Sequence, residues 1–157
     1  FGLLKSGNTE FVCQKAVELG VSKIVPIESK FTIAKADTAK IDRLSKITQE
    51  ACKQCGRAKT VPVDSVINIK ELADKVAEYD KAILCYENEK HLLLKNSIDK
   101  SCRNIAIIIG SEGGFSIDEV KLLTDSGAVC VTLGKRVLRA ETASVYALSV
   151  IDSVMND

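Results

Sequence analysis

Three segments, "KAILCYE" (81–87), "NIAIIIG" (104–110) and "AVCVTL" (128–133), are apolar at nearly every position. A strand with one wet face alternates apolar and polar residues, so runs like these predict strands covered on both faces. Amphipathic segments separate them. "NIKELADKVAEY" (68–79) reads as a helix opened by Asn68 with Glu71 three residues on, a capping box, and "SIDEVKLLTDSG" (116–127) repeats the device with Ser116 and Glu119 and closes at Gly127. A last helix runs from Glu141 to about Met155. Further forward, "GNTEFVCQKAVELGV" (7–21) predicts a helix with Phe11, Val12, Ala16 and Leu19 on its apolar side, capped by Asn8 or Thr9 and closed by Gly20. A second helix spans Lys40 to about Ala58, with Ile41, Leu44, Ile47, Ala51 and Cys55 on one stripe and Arg43, Lys46, Lys53 and Arg57 on its other faces. "KIVPI" (23–27) and "VPVDSV" (61–66) read as strands, Pro26 marking an end or an edge. Strand and helix thus alternate, which requires parallel crossovers: an α/β fold, a mostly parallel sheet with helices on both faces.

A chain of 157 residues, 46% of them hydrophobic, suffices for one globular domain without disulfide or metal staples. No apolar run reaches 18 residues and the start lacks a signal-peptide layout, so a soluble, cytoplasmic protein with no membrane partner is expected. The opening "FGLLKSGN" reads as the tail of an earlier element, and the expectation is a fragment with a further domain upstream. Six cysteines lie scattered through apolar segments and read as reduced core thiols. Only "CKQC" (52–55) has suggestive spacing; a zinc ribbon needs a second pair that the lone His91 does not supply, and the motif falls inside a helical pattern, so no metal is expected. Net charge is +1, but residues 1–60 hold 11 Lys/Arg against 6 Asp/Glu (+5), and the remainder 11 against 15 (−4). The basic excess at the front suits either solvated helix faces or a polyanion.

In parallel sheets, ligands sit at the carboxyl ends of strands, where loops gather. Three loops fall there: "YENEK" (86–90), "GSEGGFS" (110–116) and "GKRVLRAETA" (134–143). The glycine loop is not a P-loop, for no lysine follows it before Lys121. It is not a dinucleotide fingerprint either: Gly110, Gly113 and Gly114 have the wrong spacing, and Glu112 would repel a pyrophosphate. That carboxylate suits a cap, a ribose hydroxyl or a cationic ligand. A tight turn alone would explain the glycines, but Lys135, Arg136 and Arg139 in the third loop exceed what a turn requires.

Taken together, "IGSEGGFS" (109–116) and "LGKRVLRAETA" (133–143) resemble the two signature loops of the bacterial 16S ribosomal RNA uridine methyltransferases that act at ring nitrogen 3, members of the knotted SPOUT superfamily. "EFVCQKAVELGVSKIVPIES" (10–29) and "EACKQCGRAKTVPV" (50–63) extend the likeness over almost the whole chain. The chain departs from the family at Ser111, where proline is usual, and in "KFTIAK" (30–35), where an arginine and serine are usual. The resemblance implies S-adenosylmethionine-dependent methyl transfer to 16S ribosomal RNA of the small ribosomal subunit, by a homodimer whose C-terminal segment threads a trefoil knot. It also implies one SPOUT methyltransferase domain over 1–157, with the family's N-terminal PUA-like RNA-binding domain absent from this chain. Two alternatives stay open: a SPOUT-fold RNA-binding or dimerisation module without activity, and a SPOUT methyltransferase with another RNA target.

The resemblance also distributes roles. Gly110, Glu112 and Gly113 line one wall of the donor site, Leu133, Gly134, Arg136, Val137 and Leu138 another, with Tyr86 and Glu87 as further candidates. Uracil nitrogen 3 carries a proton and becomes nucleophilic when it leaves, and a nearby guanidinium can stabilise the resulting anion. Arg139 is the candidate, with Arg136 its competitor; Glu141 is either a base or a helix cap. Lys53, Gln54 and Arg57 track RNA phosphate or a partner subunit, or form a plain surface face.

Overall fold

The computed structural model describes residues 1–156. The elements in order are α1 (Asn8–Glu18), β1 (Ile27–Glu28), α2 (Thr38–Gln54), β2 (Ile67–Asn68), α3 (Ile69–Lys75), β3 (Lys81–Cys85), α4 (Leu94–Ser97), β4 (Ile105–Ile109), α5 (Ile117–Asp125), β5 (Val129–Val131) and α6 (Ala140–Asn156). The three apolar runs form one parallel sheet in the order β4-β3-β5. β3 is central and shows why its sequence does not alternate. Ala82 and Leu84 pack on one face with α3 and α5 through Ile69, Ala73 and Leu123, while Ile83 and Cys85 pack on the other with Leu94, Ala143 and Ala147 of α4 and α6. Each fully buried Leu or Ile contributes roughly 1.5–3 kcal/mol, so a polar residue on either face of β3 would be costly.

Register matters for the site. Cys85 stands opposite Ile109 on one side and Val131 on the other, so all three strands end level and release their loops at one edge. Beyond β5, Thr132 and the segment 92–94 exchange backbone hydrogen bonds (Thr132 N–H to Leu92 O, 2.8 Å; Leu94 N–H to Thr132 O, 3.0 Å), which covers that edge of the sheet.

The remaining strands are shorter than the sequence predicts. "KIVPI" keeps an isolated bridge at Ile24 and contributes Ile27 to β1; "VPVDSV" keeps only the bridge partner Val63, and the paired residues β2 come after it. In the opening segment Leu3 and Leu4 are fully buried. The strands form two parallel sheets, β4-β3-β5 and β1-β2, rather than the single sheet expected, and the opening segment links them, Gly2 donating its N–H to Ile109 O (2.8 Å) while Phe1 O accepts from Ile27 N–H (2.9 Å) and Leu3 N–H reaches Ile27 O (3.3 Å). A side chain at Gly2 would meet the backbone nitrogen of Ser111 at 2.3 Å, so only glycine lets this segment lie against the start of the glycine loop.

Both capping boxes form as predicted, at Asn68 with Glu71 and at Ser116 with Glu119. The predicted cap of α1 does not. Gly7 precedes that helix with no side-chain cap, Asn8 is its first residue, and the Thr9 hydroxyl is buried against the backbone of Leu4. α2 starts earlier than expected, at Thr38 behind Asp37, whose carboxylate accepts from Lys40 N–H (2.9 Å). Its buried stripe carries Cys52 rather than Cys55, which caps the helix and is exposed. None of the cysteines forms a disulfide. Among the described residues, no helix is long and apolar enough to cross a membrane, and no cluster of three or more His, Cys, Asp or Glu could hold a metal ion.

Candidate active site

The level strand ends create a cleft of about 790 Å³, floored by Cys85 and Ile109 and walled by the loops that follow β3, β4 and β5. Every residue given a donor-site role lines it: Tyr86, Glu87, Gly110, Glu112, Gly113, Leu133, Gly134, Arg136, Val137 and Leu138. So do Arg139 and Glu141. Loops 24 residues apart in sequence are thus brought face to face by one parallel crossover.

The glycine-loop wall is held on every side. Gly114 N–H closes a tight turn onto Ser111 O (2.9 Å). Gly114 lies in the left-handed region (φ 64°), and a Cβ there would stand 2.9 Å from a Glu87 carboxylate oxygen, so the first and second loops touch at that point. Glu112 is engaged as a cap: one carboxylate oxygen accepts the backbone N–H of Lys5 at 2.8 Å, tying the loop to the turn before α1. Its other oxygen has no hydrogen-bond partner among the described residues, and the residue lines the cleft. Ser111 is buried, and its hydroxyl is without a hydrogen-bond partner. The first loop is wound by Glu89, whose carboxylate accepts from the N–H groups of His91, Lys90 and Leu92; those bonds hold it below the usual carboxylate range.

The basic loop is different. Gly134 to Val137 are exposed, and the side chains of Lys135, Arg136 and Arg139 make no ion pair or hydrogen bond among the described residues. Val137 is 79% exposed. The local anchor is Thr132, whose hydroxyl exchanges bonds with Gly134 N–H and O at 3.3 and 3.2 Å. Arg139 O accepts Ala143 N–H (2.7 Å) and so opens α6. Glu141 sits in the first turn of α6, but its carboxylate makes no capping bond among the described residues and borders the cleft.

Sequence reasoning missed Asn8, Lys90, His91 and Leu93 as further lining residues. Asn8 carried no signal, because it arrives at the cleft only through the turn that Glu112 fastens. Lys53, Gln54 and Arg57, expected on RNA phosphate, a partner subunit or a plain surface face, lie outside the cleft. Lys53 and Gln54 are exposed at the end of α2, Lys53 pairing with Glu50. Arg57 has a task that the surface reading did not foresee: one guanidinium nitrogen donates to the carbonyls of Val17 (2.9 Å) and Val21 (2.8 Å), closing the C-terminus of α1.

A volume of this size is typical of sites for nucleoside-sized ligands. Backbone donors and acceptors of two loops, an apolar floor and the carboxylates of Glu87 and Glu112 suit a ligand with an aromatic base, a polar tail and a cationic centre.

Comparison with known proteins agrees with this geometry. Over 161 residues the chain is 32% identical to ribosomal RNA small subunit methyltransferase E of Bacillus subtilis, covering 96% of this chain and 62% of that protein. The protein of the same name from Mesomycoplasma hyopneumoniae is 33% identical over 150 residues, covering 94% and 65%. The chain therefore spans somewhat under two thirds of the length of these relatives. The crystal structure of ribosomal RNA small subunit methyltransferase E from Neisseria gonorrhoeae, bound to S-adenosyl methionine, superposes with a TM-score of 0.88 at 33% identity, over 98% of this chain and 63% of that one. A family model described as RNA methyltransferase domain matches residues 1–152, nearly the full length, and the chain belongs to that family.

Proposed function

We propose that the whole protein transfers a methyl group from S-adenosylmethionine to ring nitrogen 3 of a uridine in 16S ribosomal RNA of the small ribosomal subunit. The observation that carries this reading is the convergence of the two signature loops on one cleft at the carboxyl ends of three parallel strands. When bound, the donor supplies an electrophilic methyl group on a sulfonium centre.

The chain's own residues do the rest. Backbone groups of Gly110, Gly113, Leu133, Gly134 and Leu138 hold the donor, with Tyr86 and Val137 as apolar contacts, and Glu87 and the free oxygen of Glu112 offset its positive charge. Arg139, at the junction of the basic loop and α6, stabilises the uracil anion, with Arg136 as the second guanidinium of the same loop. Glu141, uncommitted as a cap, is placed to take the nitrogen proton. Positioning of the uracil nitrogen against that carboxylate supplies the rest. Lys53 and Gln54 form an outlying surface for RNA phosphates or for a partner subunit.

The same reading makes the active form a cytoplasmic homodimer, knots the C-terminal segment through the loops of the cleft, and assigns RNA selection to a PUA-like domain outside this chain. The family resemblance supports each of these. Calorimetry with S-adenosylmethionine and its demethylated product, followed by methylation of small subunits from a strain lacking the modification, tests the proposal. Micromolar donor binding and methylation at one mapped uridine nitrogen are expected. No binding by the folded protein at millimolar donor rules out the enzyme, and methylation elsewhere rules out the target.

A further inference from the structure

Next to the glycine loop lies a surface that neither the cleft nor the core uses. Residues 29–32 form a turn, Thr32 N–H donating to Ser29 O (3.0 Å) and the Thr32 hydroxyl accepting Ser29 N–H (2.9 Å). The turn is fastened to the loop and to α5: Ser29 Oγ donates to Gly114 O at 3.4 Å, and Lys30 N–H donates to a carboxylate oxygen of Glu119 at 2.6 Å. It lies directly on Gly113, where an added Cβ would be 2.5 Å from the Cβ of Phe31. The Phe31 side chain is nevertheless 44% exposed, beside Ile33 at 68% and, at the start of α5, Ile117 at 79%. Lys30 Nζ lies over the Phe31 ring, 5.8 Å from its centroid, so a base that stacks on that face displaces the ammonium toward its own phosphate. Lys5, exposed, flanks the other side of the loop, its backbone N–H fastened to Glu112.

We propose that Phe31 is a stacking platform for an unpaired RNA base next to the nucleotide that enters the cleft, with Lys30 and Lys5 taking the adjoining phosphates. This rests on the reading of the cleft as an RNA methyltransferase site. Phe31 is not part of the cleft wall but lies one residue layer outside Gly113, so the base it takes is a neighbour of the target. An aromatic ring held on a hydrogen-bonded turn loses little freedom on stacking, and the positive charge of Lys30 and Lys5 suits the backbone of a single strand better than an apolar protein surface. A nucleotide must leave its helix for its ring nitrogen to be methylated, and an external stack on its neighbour compensates part of that unstacking.

The test compares Phe31→Ala, Phe31→Leu and Phe31→Trp in the full-length protein. Binding of fluorescein-labelled single-stranded RNA of mixed sequence is read by anisotropy, and the KM for unmodified small subunits is read in the methylation assay. Phe31→Ala is expected to weaken RNA binding and raise KM about tenfold, leaving kcat within about twofold and the affinity for S-adenosylmethionine unchanged. Phe31→Leu should resemble Phe31→Ala, and Phe31→Trp should match or exceed the natural protein. Unchanged binding in Phe31→Ala overturns the platform, as does full rescue by Phe31→Leu, which would make the contact a generic apolar one. A changed oligomeric state in Phe31→Ala by light scattering also overturns it, assigning the surface to a protein contact. If the unaltered protein neither binds donor nor methylates, the reading of the cleft has failed by itself, and the RNA-binding series still decides the stack.

Discussion

The two loops that face each other across the cleft solve opposite problems. The glycine loop is fixed from several directions: by Gly2 against Ser111, by Lys5 on Glu112, by the turn at Ser29 on Gly114, and by its own closure from Gly114 to Ser111. The basic loop is held by Thr132, by Leu133 and Leu138 packed on the core and by the first turn of α6, and exposes Lys135, Arg136, Val137 and Arg139. A fixed wall suits a ligand recognised through backbone groups, where a shift of an ångström removes a hydrogen bond. A wall that exposes its cations suits arginines that must meet a second, larger substrate and then release it. The difference predicts that substitutions in the first loop act on folding and donor affinity together, whereas those in the second act on catalysis with the fold intact.

The largest expected effect is at Arg139. Arg139→Ala should lower methyl transfer by roughly two orders of magnitude or more, as loss of one transition-state donor does. Its guanidinium has no partner among the described residues, so the melting temperature and the donor affinity should stay near those of the natural protein. Single-turnover methylation alongside calorimetry reads both. Wild-type turnover would take Arg139 out of the mechanism, and a large loss of stability would show that the basic loop is braced after all.

Next comes a matched pair, one alanine in each loop. Gly114→Ala places a Cβ where φ is 64° and a Glu87 oxygen is 2.9 Å away, so it should cost about 1–2 kcal/mol in denaturant unfolding and weaken donor binding as well. Lys135→Ala, at an exposed side chain with no partner among the described residues, should stay within about 0.5 kcal/mol. Equal stability of the two variants would erase the contrast between the walls.

Both loops were legible before the fold was known, for a physical reason. Near-continuous apolar runs fix the strands, a parallel sheet collects the loops at their carboxyl ends, and the residues of those loops differ too much from ordinary turns to be neutral. The helix starts at Asn68 and Ser116 were equally readable, because a capping box is local chemistry. What sequence could not show depends on contacts distant along the chain. The bond from Gly2 to Ile109 spans the length of the chain and leaves no trace in the opening residues, and Glu112 suits several partners until Lys5 arrives from 107 residues away. Arg57 reads as a surface cation because its targets, the carbonyls of Val17 and Val21, sit 40 and 36 residues earlier. "VPVDSV" has strand composition, yet α2 packs beside it and the Thr48 hydroxyl takes Val61 O at 2.9 Å, so tertiary contact replaces a ladder bond there.

The smallest effect concerns the floor between the two walls and sharpens the comparison most gently. Cys85 ends β3 beneath the cleft, and burial pushes its thiol up to about 12. Only the thiolate alkylates, so near pH 8 Cys85 should react far more slowly than exposed Cys55, and faster as pH rises. Cys85 lines the cleft, so a reagent reaches it between the two walls. Bound S-adenosylmethionine, by spanning both loops, should therefore slow Cys85 labelling a further few-fold while leaving Cys55 unchanged, as mass spectrometry of iodoacetamide-treated protein would read. Buried Cys13, whose thiol burial also raises to about 12, is the internal control: it lies in the α1–α2 core away from the cleft. Donor-dependent slowing at Cys13 equal to that at Cys85 would mean that the ligand tightens the whole domain. Slowing at Cys85 alone would mean that the donor covers the floor between the two walls.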